Sequence, residues 1–198
     1  MDDASDLVRF WFAPLDGPWD EAPGKTELWF RKSDATDALL RERFGARVEQ
    51  ALGGELEAWD TEHESRLALL LLLDQLTRNL FRGTPRAFEG DPRARAISLG
   101  LVDAGADRAY RGLERVFLYL PLEHAEDPDL QARSVSLFEA LHAEAPEAQR
   151  GAYAVFLDYA RRHADVIARF GRFPHRNAIL GRESSPEEVA YLNAGGGF

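Results

Sequence analysis

The stretch "LALLLLLDQLTRN" (67–79) constrains this chain more than any other. Seven successive apolar residues, Leu67 to Leu73, leave a helix no polar face, so the element that carries them must be buried on every side. Upstream, Thr61-x-x-Glu64 has the spacing of a capping box, and downstream Gly83 offers a stop, which predicts a helix over 61–83. Seven apolar residues ending at Asp74 fall far short of a membrane span. The enclosing material must therefore be protein, and the chain is expected to wrap other elements around this helix.

Those other elements read as helices too. "SDATDALLRERFGARVEQALGG" (33–54) has a Ser/Asp cap, apolar residues at helical spacing and a glycine stop. "DPRARAISLGLVDAG" (91–105) and "DPDLQARSVSLFEALHAEAP" (127–146) both open with an aspartate cap and a proline at the first helical position. "PEAQRGAYAVFLDYARRHADVIARFG" (146–171) carries a long apolar stripe, and "SSPEEVAYLN" (184–193) is a short last helix. The segment 111–127 begins as a helix and is expected to be disturbed at Pro121. Residues 13–25 read as a long surface loop, and the "GGGF" tail (195–198) as mobile. Alternating strand patterns are scarce. The expectation is one all-α domain over 1–198, built of stacked antiparallel helix pairs, about eight to ten helices in all.

Composition narrows the function classes. The chain has 24 basic and 34 acidic residues, a net charge of −10, which repels nucleic acid and anionic lipid surfaces at long range. There are no cysteines, so disulfides and thiolate metal sites are excluded. The acidic opening "MDDASDLVRFWF" does not read as a secretory signal, and a cytoplasmic location is expected. No glycine-rich phosphate loop and no H-E-x-x-H spacing occurs, so neither a cofactor nor a metal is predicted.

Against this acidic background, four places concentrate polar chemistry. Asp74, Arg78 and Arg82 follow one another at i, i+4 on the polar end of the leucine helix, with Gln75 and Asn79 in a parallel stripe. Charges delivered to the edge of a core need partners. Glu123, His124, Glu126 and Asp127 gather at the helix break after Pro121, where an imidazole beside carboxylates suits acid–base chemistry. His163 lies on the buried stripe of the long helix, either as a satisfied core residue or facing the same pocket as His124.

The fourth is "RFGRFPHRNAILGR" (169–182), four arginines, a histidine and an asparagine with no acid among them. Interleaved Phe173, Ile179 and Leu180 predict a loop pinned to the body. Its guanidiniums point either at the acids of 74 and 123–127 or into a cleft, since an arginine fork suits carboxylate and phosphate alike.

"LLLLDQLTRNLFRGTPRAFEGD", "FLYLPLEHAED", "RFGRFPHRNAILGR" and "SSPEEVAYL" together resemble the bacterial domain-of-unknown-function 924 family, from "VRFWF" (8–12) to the C-terminus. The resemblance implies an all-helical, tetratricopeptide-like array and implies little about activity. Its signature positions fall on Asp74, Arg78, Asn79, Arg82, Pro121, His124, Glu126, Gly171, Arg172, Pro174, His175, Arg176, Asn177, Gly181 and Arg182. Ala125 stands where serine is common in the family, so a serine nucleophile is not implied.

Three functional expectations follow. In the first, Asp74, Arg78, Asn79, Arg82, Arg172, Arg176, Asn177 and Arg182 line a pocket for a small anionic ligand, a phosphate or carboxylate, with His124, Glu126 and His175 as candidate catalytic residues. In the second, the array is an interaction scaffold whose basic groove clamps an acidic peptide. In the third, arginines and acids form one internal network that holds distant segments in register.

Overall fold

The leucine run lies at the centre of the molecule: Leu67 to Leu73 are each at most 1% exposed. In the computed structural model, which describes residues 3–15, 17–22 and 24–198, the described residues form helices and turns with no strands. In chain order the helices are α1 (Asp3–Phe12), α2 (Lys25–Phe30), α3 (Asp34–Leu52), α4, α5 (Asp91–Asp103), α6 (Gly112–Glu123), α7 (Pro128–Glu144), α8 (Arg150–Phe170) and α9 (Pro186–Asn193). The leucine helix α4 is composite. It begins at His63–Leu70, widens into a π-helical stretch at Leu71–Leu76 and closes with Thr77–Leu80. Helices α1, α3, α5 and α6 pack around it, while α7 lies between α6 and α8.

Local signals set most helix ends. Ser33 Oγ accepts the Thr36 amide, and Asp127 accepts those of Asp129 and Leu130 ahead of Pro128. Ser185 and Glu188 form a reciprocal capping box on α9. Gly171 ends α8 at φ 68°, the left-handed conformation that favours glycine.

Other expectations are corrected. The Thr61/Glu64 capping box does not form: Thr61 donates its hydroxyl to the Ala58 carbonyl and Glu64 accepts from Ser5. Asp91 is not a cap; Gly90 holds that position and frees the Asp91 carboxylate for Arg78. Pro121 sits inside α6, which runs on to Glu123, because a proline in the last turn forfeits only one backbone bond. Nor is the described part of 13–25 merely surface. Leu15 and Ala22 are buried, the Trp19 ring stands edge-on to Tyr153 at 5.4 Å, and Pro18 accepts the Gly112 amide. Asp16 and Pro23 of that segment lie outside the described residues. The tail folds back, with Gly197 donating its amide to Tyr191 Oη and the Phe198 ring stacked on His163.

Candidate functional site

The polar end of α4, the end of α6, the middle of α8 and the 171–182 loop converge on a cavity of about 850 Å³. Part of the lining is apolar and aromatic, formed by Trp29 and Phe30 of α2 with Leu113, Leu120, Tyr153 and Phe156. Polar side chains of Gln75, Arg78, Glu123, His124, His175 and Arg176 also line the cavity.

Asp74 anchors the polar lining. It is fully buried on the π-helical stretch and accepts from His124 Nδ1 at 2.8 Å and Gln75 Nε2 at 2.5 Å, with Arg78 Nη1 3.3 Å away. Burial alone would raise its pKa, but the Arg78 guanidinium and then His124 hold the carboxyl well below the usual carboxylate range. An ionised Asp74 makes His124 Nδ1 the protonated nitrogen and leaves the lone pair on Nε2, which has no hydrogen-bond partner among the described residues. Burial, then Arg78, keeps the imidazole itself below its ordinary pKa. Arg78 in turn makes a bidentate pair with Asp91 at 2.8 and 3.0 Å.

A second carboxyl–imidazole pair adjoins the first. Glu123 Oε1 is 3.0 Å from His163 Nδ1, which also donates to the Tyr159 carbonyl at 2.8 Å. The His163 and His124 ring centres are 6.2 Å apart. Burial, reinforced by the Asp74 charge, pushes the Glu123 carboxyl up to about 8, so this acid is protonated at neutral pH. Burial brings His163 down to about 3 and, helped by Arg176, His175 down to about 4. The Asp74 carboxylate, the Glu123 carboxylic acid and three neutral imidazoles thus lie together at the polar lining of the cavity.

The arginine loop divides into two parts. Arg182 grips Glu126 with two bonds of 2.6 and 2.8 Å, and the same carboxylate accepts the Phe173 amide. Asn177 bridges Arg182 and Ser184, and Arg172 holds Glu188 of α9 at 2.7 and 2.8 Å. These contacts pin the loop. Arg176 is different: it is 7% exposed, lies between the rings of Phe88 and Phe173, donates to the His124 carbonyl and has its nearest carboxylate oxygen, on Asp91, at 3.9 Å. Burial and the neighbouring Arg78 lower its pKa to about 10.

Of the residues singled out in the sequence, Gln75, Arg78, Asn79, Arg82, Glu123, His124, His163, His175 and Arg176 line the cavity, with Asp74 directly behind His124. Asn79 and Arg82 sit at its edge and both bond Asp37. Glu126, Arg172, Asn177 and Arg182 are not on the lining; their hydrogen bonds fasten the loop to α9 and to the turn after α6. Glu126 is therefore separated from His124 and His175, because its two oxygens are taken by Arg182 and Phe173. The sequence reading left Asp37 and Asp91 out, since nothing local marks either as a partner of α4. Among the described residues no three His, Asp or Glu side chains converge to hold a metal ion, and no helix is long and apolar enough to cross a membrane.

The family model described as a bacterial protein of unknown function (DUF924) matches residues 7–196. The chain belongs to this family. A solved structure of a protein of unknown function from Agrobacterium tumefaciens is 40% identical to this DUF924 chain, with a TM-score of 0.81 over 96% of this chain and 97% of that one. No curated protein matches it.

Proposed function

We propose that the cavity binds a small organic anion, a carboxylate or phosphate, with its charged group at Arg176 and its remaining part against the aromatic side chains of the lining. One contrast carries this reading. Arg78, Arg82, Arg172 and Arg182 each hold a carboxylate through two bonds, whereas Arg176 hydrogen-bonds a carbonyl and has the Asp91 carboxylate only at 3.9 Å, and its buried Nε has no partner among the described residues. A buried guanidinium with unsatisfied donors strongly favours an oxyanion. Glu123 Oε2, Tyr153 Oη and His175 Nδ1, also on lining residues, are likewise buried without a hydrogen-bond partner among the described residues. The same lining carries a proton acceptor in His124 Nε2 and a proton donor in Glu123, an arrangement suited to acid–base chemistry on the bound anion.

The tetratricopeptide-like reading of the array belongs to this proposal. The packing of α6 on α7 and of α7 on α8, each pair joined by a short connection, supports it. A peptide clamp would use arginines along an open wall; four of the five are already saturated with carboxylate, which favours a small ligand in the cavity.

The test is thermal melting of the parent and of Arg176→Gln with a millimolar panel of monocarboxylates, dicarboxylates and phosphomonoesters. An anion present at about a hundred times its Kd stabilises the parent by about 2.7 kcal/mol, a rise of several degrees. The rise should vanish in the variant. A variant that melts lower yet keeps every shift of the parent assigns Arg176 to the internal network and removes this reading, as does a parent that no anion shifts.

A further inference from the structure

The tail "GGGF" is built to place a ring. Gly197 has φ +123°, a conformation open to glycine, and a Cβ at Gly196 would meet the Tyr191 ring at 2.5 Å. The chain can therefore turn tightly over Tyr191 only with these residues. The turn delivers Phe198 onto His163, ring centres 3.5 Å apart and planes 11° from parallel. Phe173 and His175 meet the same ring edge-on, at 6.2 and 5.9 Å, and the Arg162 guanidinium lies 5.6 Å from its centre. A flat face below, two perpendicular rings at the sides and a cation nearby form a cage for an aromatic group. His163, neutral at physiological pH, offers that face without a charge.

The occupant is held lightly. Phe198 is 46% exposed and lies beyond the turn that the Gly195, Gly196 and Gly197 amides make on the Leu192 and Tyr191 carbonyls and on Tyr191 Oη. Phe198 and Arg176 line one cavity, and both lie against the Phe173 ring, Arg176 at 4.5 Å. We infer that Phe198 fills a subsite for a planar ring, and that the anion of this cavity is an aryl or heteroaryl carboxylate or phosphate whose ring displaces Phe198. This rests on the anion reading above for the charged group, and on the ring cage alone for the rest.

Binding is measured by calorimetry on the full chain and on Phe198→Ala, with 3-phenylpropanoate, phenyl phosphate, 3-cyclohexylpropanoate, propanoate and neutral benzyl alcohol. Removing the competing ring should tighten 3-phenylpropanoate about tenfold, and leave 3-cyclohexylpropanoate, which cannot stack, almost unchanged. Phenyl phosphate binding more tightly than 3-phenylpropanoate would assign the charged group as phosphate, and the reverse order as carboxylate. In the parent, the aryl anion should shift the His163 ring-proton resonances as Phe198 leaves. Equal affinities for the phenyl and cyclohexyl acids in Phe198→Ala overturn the ring subsite, whatever propanoate does. If benzyl alcohol binds the variant while none of the anions gains affinity from its charge, the ring subsite stands and the anion reading falls.

Discussion

The Glu123 carboxyl, protonated to about 8 where an unfolded glutamic acid ionises near 4.5, ties stability to pH through one side chain. Between those values the unfolded chain releases a proton that the folded chain keeps, so this group favours folding below 4.5 and progressively loses that contribution as pH rises to about 8. His163 and His175 act in the opposite sense, since their lowered pKa values cost stability as pH falls below 6.5. Burial does most to keep Glu123 protonated, and Asp74, ionised in both states near neutrality, reinforces it. Glu123→Gln keeps the neutral shape and removes the titration. Urea unfolding at pH 5 and pH 8 should show the variant gaining on the parent at the higher pH by an amount on the order of a few kcal/mol. A difference that is the same at both values contradicts a protonated Glu123.

Where one helix touches another, the decisive contact is at Gly90, just before α5. A Cβ there would lie 2.2 Å from the Leu73 carbonyl oxygen, and both partners are backbone. Gly90→Ala therefore separates α5 from the π-helical stretch of α4, where Asp74 sits, and pulls Asp91 from Arg78. A loss of about 3 kcal/mol or more is expected, seen as a fall in Tm of roughly 6–12 °C. A variant melting within 2 °C of the parent, about what 1 kcal/mol or less would give, would show that α5 can move freely. Helix ends were legible where a side chain caps its own backbone, as at Ser33, Asp127 and Ser185. They were misread where a distant residue claims the capping group: Asp91 goes to Arg78, and Glu64 to Ser5. The π-helical widening leaves no local signature in a run of leucines.

Across the whole molecule, the arginine loop is fastened by pairs far apart in sequence. Glu126 and Arg182 are 56 residues apart, both about one quarter exposed, and their bidentate pair closes the loop over the turn after α6. Arg182→Ala should destabilise by about 1–3 kcal/mol, because Glu126 then keeps only the Phe173 amide. A double-mutant cycle with Glu126→Ala should return a coupling of about 1–2 kcal/mol, lowered from a buried pair's value by the partial exposure. A coupling near zero would mean the loop is held by its apolar residues alone.

The sequence by itself determined that the chain is all-helical, that the leucine helix is its centre, and that three polar segments belong together, because periodicity, caps and charge imbalance are written into neighbouring residues. It also marked His124, His175 and Arg176 as chemistry-bearing types. Tertiary structure decided which guanidiniums are spent on carboxylates and which one is not, since Arg172, Arg176 and Arg182 look alike in sequence and differ only in what faces them. It decided the charge state of Glu123, which depends on burial and on Asp74, 49 positions away. And it turned "GGGF" from an expected loose end into a ring seated on His163. Side-chain identity is local, but hydrogen-bond partners, solvent exclusion and electric fields are properties of the folded chain.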